Sequence, residues 1–360
     1  MVLPLGIGYP QDNLADALGN PPAVYLLPAF PFGWQGSGLT ISEVCLEHYL
    51  INIISGLRDD GFLNAIVVIP QGLNLNLSIP WIALPRLCEN NNTFLPADSE
   101  RGKVVLIPIG HTEQHGLHLP LSTDTLIIDA IGRGCAASSP EQTSVLPVMP
   151  YGVSTHRPSF AGTLNAGGRA FEDFWVDVID VLSSRGFELF YLVSGHGGNS
   201  SFINNVIKYS GERHRRIFCA TAWLYLSGPN GIATLEKYRQ SGMGGMGHAC
   251  ELETSFILHL KPSLVHMERV VDEIDFISTP SYYMDWVEGG ALVANPPWDD
   301  DTATGAYGAG SLATAEKGKL WLQAAIAEKV AHIKEIQLQQ QLREERRRTG
   351  FGLWGKTKSG

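Results

Sequence analysis

Three short stretches of the chain carry side chains that hold metal ions and move protons. The first, residues 110–124, reads Gly-His-Thr-Glu-Gln-His-Gly-Leu-His-Leu-Pro-Leu-Ser-Thr-Asp. The second is His196-Gly-Gly-Asn199, and the third is His248-Ala-Cys-Glu251-Leu-Glu253-Thr-Ser255. Glu113, His115 and Asp124 offer carboxylate and imidazole donors that suit zinc, manganese or iron(II) with no thiolate required. An aspartate can bridge two ions, one on each oxygen, and a pair of ions ~3.5–4 Å apart can share a hydroxide and polarise a carbonyl. Taken alone, Asp124 would do no more than cap a helix, and His196 could be a loop histidine satisfied by backbone. Packing does not explain three separate clusters rich in His, Glu and Asp. Together they read as one metal-dependent hydrolytic site.

The elements that must position these residues show in the apolar pattern. The first cluster follows VVLIPI at 104–109, a run that suits a strand buried on both faces. Its loop therefore sits at a strand's carboxyl end, where open α/β sheets bind ligands. His196 follows a similar run at 189–193. Between and beyond them the pattern predicts helices over 124–135, 170–185 and 201–212, and strands over 144–149 and 217–225. The helix over 170–185 is amphipathic through Phe171, Phe174, Trp175, Val178, Ile179 and Leu182. Such alternation implies a layered α/β fold with a mostly parallel sheet. Residues 272–310 are rich in Gly, Pro, Tyr and Trp and read as loops that wall or cover a pocket. A last helix is predicted over 311–348, its 337–348 end a solvated extension.

The first hundred residues hold a weak echo of the second hundred. Residues 37–76 align without gaps to 162–201 at an offset of 125, pairing Leu39 with Leu164, Glu47 with Glu172, Gly61 with Gly186 and Asn74 with Asn199. Either part of the unit is duplicated or two strand-helix-strand segments share a pattern. Gln71 stands where the later segment has His196, so the first segment is expected to be structural. The predicted organisation is an N-terminal extension over 1–99, a catalytic domain over 100–335 and a polar tail over 336–360.

A net charge of −10 gives no electrostatic reason to bind nucleic acid. No apolar run reaches the ~18–20 residues that cross a bilayer, and the start of the chain does not resemble a signal peptide. The five cysteines (Cys45, Cys88, Cys135, Cys219, Cys250) are scattered and form no CxxC pair, which favours a reduced, cytoplasmic setting.

The strings Gly-x-Thr-Glu-Gln-His-Gly-x-His-Leu-Pro-x-x-Thr-Asp, Gly-His-Gly-Gly-Asn and His-Ala-x-Glu-x-Glu-Thr-Ser, in this order, resemble the creatininase (creatinine amidohydrolase) family over residues 100–330. The resemblance implies a three-layer α/β/α sandwich with a mostly parallel sheet, two divalent metal ions (zinc, manganese or iron) and hydrolysis of cyclic or linear amides. Carried over by position, Glu113, Asp124 and His196 hold one metal, and His115, the bridging Asp124 and a glutamate hold the other. In creatininase proper that glutamate lies in the His-x-x-Asn cluster, where this chain has Gly198. Glu251 is the first choice to replace it. Glu253 is the second, or it orients a ligand within the catalytic machinery. His248 matches the histidine that takes a proton from the attacking water and passes it to the leaving nitrogen. Trp223, His156 and Arg157 are expected against the substrate, and His118 and Asn199 behind the ligands.

These assignments lead to an amidohydrolase in which metal-bound hydroxide attacks the carbonyl of a non-peptide amide. Met243-Gly244-Gly245 stands where creatininase carries a pocket tryptophan, so creatinine itself is not the expected substrate. The alternatives are cleavage of a lactone or cyclic ketone at the same centre, or a catalytically inactive scaffold. The resemblance implies a homo-oligomer, a hexamer in relatives, which the N-terminal extension could make smaller. The partner is a small molecule, with neither nucleic acid nor membrane.

Overall fold

Two parallel sheets, a two-stranded antiparallel sheet and the helices around them make up the computed structural model, which describes residues 1–87, 94–286 and 290–349. Cys88 and residues 350–360 of the predicted tail lie outside the described residues. In chain order the elements begin with β1 (Val2–Pro4), α1 (Gln11–Ala17), α2 (Glu43–Asp59), β2 (Ile66–Pro70) and β3 (Trp81–Leu84). The central part holds β4 (Val104–Ile109), α3 (Thr123–Ser138), β5 (Thr143–Val145), α4 (Gly168–Ser184), β6 (Leu189–Ser194), α5 (Ser200–Arg213) and β7 (Phe218–Ala222). After these come α6 (Pro229–Tyr238), β8 (Met246–His248), α7 (Glu251–Leu260), β9 (Tyr307–Gly308) and α8 (Ala315–Arg348).

The first sheet has strand order β1-β2-β3 and the second β5-β4-β6-β7, all parallel. Parallel neighbours need long crossovers, which α4 and α5 supply around β6. Alternation along β4 and β6 sends side chains to both faces of the second sheet. Val105, Ile107, Ile109, Phe190 and Leu192 enter one core with Phe171, Phe174 and Ile179 of α4. Val104, Leu106, Tyr191 and Val193 enter another with Ile127 and Ile131 of α3, Phe256 of α7 and Trp321 of α8. The result is the expected α/β/α sandwich, with two buried faces that explain the unbroken apolar runs.

The N-terminal segment is continuous with the first of those cores: Phe30, Phe32, Tyr49, Leu50 and Ile53 pack with Phe171, Phe174 and Trp175. Shifted by the offset seen in the sequence, the bounds of α2 fall on those of α4. Gly61 and Gly186, which follow the two helices, both have φ 90°. The counterpart residues Tyr49 and Phe174 touch each other, ring centroids 4.8 Å apart. Contact between counterparts is how a two-fold arrangement packs. Gln71 donates its backbone N–H to Leu84 rather than meeting the polar clusters.

Some predicted limits need correction. The strand expected over 144–149 ends at Val145, because Pro147 has no N–H to continue the ladder; pairing resumes only as a single bridge between Met149 and Ile109. The strand expected over 217–225 ends at Ala222. The last helix runs unbroken to Arg348 as predicted and takes in residues 336–348 of the polar tail, but its end is not wholly solvated, since α8 buries Ile336 and Gln340.

Because the shared core joins α2 to α4, Phe174→Ala should destabilise the protein by about 3–5 kcal/mol. Denaturant unfolding followed by tryptophan fluorescence and by far-ultraviolet circular dichroism should give one coincident transition. Two separated transitions would show that the N-terminal segment folds on its own.

Candidate metal centre

In the β4–β6 ladder Ile109 pairs with Ser194, so the loops leaving the two strands start side by side. One carries His111, Glu113 and His115 toward Asp124 in the first turn of α3; the other carries His196. The third cluster arrives on β8 and the start of α7, which supply His248 and Glu253. All seven side chains are buried.

Asp124 lies between the histidines. Its Oδ1 is 3.0 Å from His115 Nε2, and its Oδ2 is 3.2 Å from His196 Nδ1. Glu113 Oε2 is 3.0 Å from His196 Nδ1 and 3.8 Å from His248 Nδ1. Glu253 Oε1 approaches His115 Nε2 to 4.0 Å, while its Oε2 accepts the Ala249 N–H at 2.7 Å. Donor atoms of His115, Asp124 and Glu253 lie within 4.8 Å of one another, as do those of His111, Glu113 and His196.

The backbone decides which nitrogen each imidazole presents. His115 Nδ1 meets the Glu113 carbonyl at 3.0 Å, His196 Nε2 the Val153 carbonyl at 3.1 Å, and His248 Nε2 the Gln114 carbonyl at 2.8 Å. A carbonyl can only accept, so those nitrogens carry hydrogens and the opposite ones face the carboxylates. This is how metal-ligating histidines are oriented by their outer partners. Glu113 Oε2 and Asp124 Oδ2 are buried without a hydrogen-bond partner among the described residues.

The charges point the same way. Burial pushes Glu253 up to about 7, with the carboxylates of Asp124 and Glu113 adding to it against His115. Burial alone would lower the two facing histidines. The neighbouring carboxylates, led by Asp124 at one and Glu113 at the other, instead lift His115 to about 9 and His196 to about 10. Without metal, protons on these imidazoles balance the carboxylates; cations at the same place displace them. His248 behaves differently. Burial, then the positive charges of Arg157 and His115, hold it well below its ordinary value, so it is neutral.

The model of the creatininase family, described as creatinine amidohydrolase, matches residues 91–333. The chain belongs to the creatininase family. A mycofactocin precursor peptide peptidase of Mycobacterium ulcerans (strain Agy99) is 31% identical over 176 residues, 46% of this chain and 62% of the relative. The chain thus spans under two thirds of that relative's length. The creatinine amidohydrolase of Pseudomonas putida is 28% identical over 244 residues, 62% of this chain and 85% of the relative. Among solved structures, a manganese creatininase superposes with TM-score 0.54 at 25% identity, covering 66% of this chain and 92% of the other.

Against the creatininase pattern, the structure shows why position 198 holds no glutamate. A Cβ at Gly198 would lie 2.4 Å from the Val153 carbonyl oxygen, the atom that orients His196. The first choice for the replacement needs correction. Glu251 points away from the cluster: its Oε1 is 2.6 Å from Lys317 Nζ, and its carboxylate accepts the Gln240 and Ser241 N–H groups. Glu253, the second choice, is the residue brought to His115 and Asp124.

The other expected residues divide. Arg157 is buried: its Nε is 3.0 Å from Glu113 Oε1, and its guanidinium donates to the Gly305 and Gln114 carbonyls. His156 and Trp223 stand at the rim beside His196, with the His156 ring centroid 6.3 Å from that of His196. His118 Nε2 pairs with Thr254 Oγ1 at 2.9 Å, and Asn199 ties Val153 and Gly110 together behind the ligands. Sequence reasoning missed Trp298, whose ring centroid is 5.4 Å from His248 and 4.5 Å from His156, with the Arg157 guanidinium over it at 4.6 Å. Its signal was its place in the aromatic loop over 272–310. It also passed over His111, which opens the first motif itself.

Metal analysis should separate the two glutamates: Glu253→Gln loses one equivalent and Glu251→Gln loses none. Glu251→Gln instead leaves Lys317 uncompensated and costs about 3 kcal/mol of stability at neutral pH. Burial would raise the Glu251 pKa, but Lys317 and the Ser241 and Gln240 amides hold it below its ordinary 4.5. The stabilisation is therefore complete above that value, and the gap between wild type and variant narrows as pH falls through the folded pKa below it. A gap that stays constant down to pH 3 would contradict the pairing.

Proposed function

We propose that the chain is a metal-dependent hydrolase that cleaves an amide C–N bond of a small, cyclic or linear substrate. The observation that carries this reading is the convergence of three backbone-oriented imidazoles on three buried carboxylates. The names of the relatives, a peptidase and an amidohydrolase, support a C–N bond as the target. Glu113, Asp124 and His196 would hold one divalent ion, and His115, Asp124 and Glu253 the other. The donor set of oxygen and imidazole nitrogen suits zinc and manganese alike. When bound, the ions supply a Lewis acid that polarises the carbonyl and makes water a stronger nucleophile.

The protein's own groups do the rest. Ser154 Oγ donates to Glu113 Oε1 at 3.1 Å, and Arg157 stands on the same oxygen, which leaves Oε2 for the metal. His248 keeps its Nε2 hydrogen on the Gln114 carbonyl and turns a free Nδ1 toward the cluster. A neutral nitrogen there can accept a proton from the attacking water and return it to the leaving nitrogen. Trp298 and His156 narrow the approach and exclude water from one side. Trp298 comes from a different part of the chain than the pocket tryptophan that creatininase carries where this chain has Met243-Gly244-Gly245. This supports an amide other than creatinine as substrate.

Mass spectrometric metal analysis of purified protein should find about two equivalents of zinc or manganese. Glu113→Gln and His196→Ala should each lower that content. His248→Ala should keep the metal and lose ~10²–10⁴-fold in kcat on whichever cyclic or linear amide the wild type turns over. Protein that takes up no metal after reconstitution would sink the hydrolase reading.

A further inference from the structure

Four imidazoles line the cluster, and one is oriented opposite to the others. His115, His196 and His248 each give a hydrogen to a backbone carbonyl. His111 instead receives one: the Gly152 backbone N–H donates to its Nδ1 at 2.9 Å. An imidazole nitrogen that accepts a hydrogen bond carries no hydrogen, so the ring must carry its hydrogen on Nε2. Turning the ring over would set a carbon against the buried Gly152 N–H and leave that amide without its acceptor, which costs more than a net hydrogen bond gains. A glycine at 152 belongs to the same arrangement, since a Cβ there would lie 2.3 Å from Asn199 Oδ1.

His111 Nε2 is fully buried and has no partner among the described residues. The ring lies against that of His196, centroids 4.3 Å apart, and one of its nitrogens is within 4.8 Å of the Glu113 and His196 donor atoms. Spacing alone would enrol His111 as a metal ligand. A ligating Nε2, however, needs the hydrogen on Nδ1, where the Gly152 N–H already points. On this side of the cluster the Ser154 hydroxyl and Arg157 Nε are both committed to Glu113 Oε1, and Glu113 Oε2 is left without a hydrogen-bond partner among the described residues.

We infer that His111 is not a metal ligand but a hydrogen-bond donor, its Nε2–H holding an oxygen atom of the bound substrate or attacking water beside Glu113 and His196. This rests on the hydrolase reading for its purpose, while the donor assignment stands on the hydrogen bonding alone. A fixed N–H aimed where negative charge develops on oxygen is the kind of group that stabilises acyl-transfer transition states.

The first readout is nuclear magnetic resonance of protein with ¹⁵N-labelled histidine, the His111 signals assigned by their loss in His111→Gln. Long-range ¹H–¹⁵N correlations should show a bare Nδ1 and a protonated Nε2; a protonated Nδ1 overturns the assignment. The second is metal content: His111→Ala and His111→Gln should keep both equivalents, and loss of one in both variants makes His111 a ligand after all. The third is calorimetric binding of acetohydroxamate, an oxygen ligand, to the manganese-loaded protein. His111→Ala should bind it about tenfold or more weakly, and His111→Gln, which retains an N–H in place of Nε2, should recover most of that loss. Equal binding by wild type and His111→Ala removes the oxygen-holding role. If metal never loads, the hydrolase reading fails, yet the resonance experiment still tests the tautomer.

Discussion

Ile109 of β4 pairs with Ser194 of β6, and the chemistry of the molecule depends on that register. A slip of one residue would turn every side chain of β6 to the opposite face. It would exchange Phe190 and Leu192 for Tyr191 and Val193 between two filled cores. The register is therefore fixed by packing on both sides of the sheet, well away from any polar group. What the packing fixes is the start of two loops, and through them the meeting of Glu113, Asp124 and His196. Hydrophobic burial, without direction of its own, becomes directional here because strands alternate.

A second constraint acts within the loops. Seven buried side chains that are charged or can be charged would be prohibitive if each floated free, since an unpaired buried charge is strongly destabilising. The loops remove that freedom by committing backbone groups: the carbonyls of Glu113, Gln114 and Val153 and the amides of Ala249 and Gly152 each hold one ring or carboxylate. The cluster is oriented before any ion arrives, so little ordering is left for binding to supply. The same constraint explains Gly198, where a side chain would displace the carbonyl that orients His196.

How much of this was legible in the sequence depends on the range of each cause. The runs at 104–109 and 189–193 read as strands because burial on two faces leaves a local mark. Glu113, His115, Asp124 and His196 read as one site because each sits directly after such a run or in the helix next to it. Glu251 and Glu253 could not be told apart locally. Both lie in the first turn of α7, about 200° apart around its axis, and a choice between them needs Lys317, which is remote in sequence. Trp298 and the orientation of His111 were equally hidden, since one depends on how a long loop folds back and the other on a single amide at Gly152. The short β5 differs from expectation for a local reason, an intervening proline, while the burial of Gln340 in the α8 end expected to be solvated depends on remote partners, Glu188 and the Arg216 carbonyl.

Arg157 ties the part of the site that would choose a substrate to the part that would hold metal. Its Nε stands at Glu113 Oε1, its guanidinium donates to the Gly305 carbonyl, and the ring of Trp298 lies against it. Gln114, whose carbonyl takes one hydrogen from Arg157 and another from His248, also donates from its side chain to the Thr304 carbonyl at 2.7 Å. The loop that carries Trp298 is thus bonded to the groups that orient Glu113 and His248. Loops usually change to suit new ligands while the scaffold stays fixed. Here a change over 298–305 is felt at Glu113 and at His248, so under the proposed function substrate choice, metal binding and proton transfer would not be altered independently. The coupling runs through buried and part-buried hydrogen bonds of 2.7–2.9 Å, and rearranging one leaves another group unsatisfied. On that reading the pocket wall belongs to the candidate metal centre.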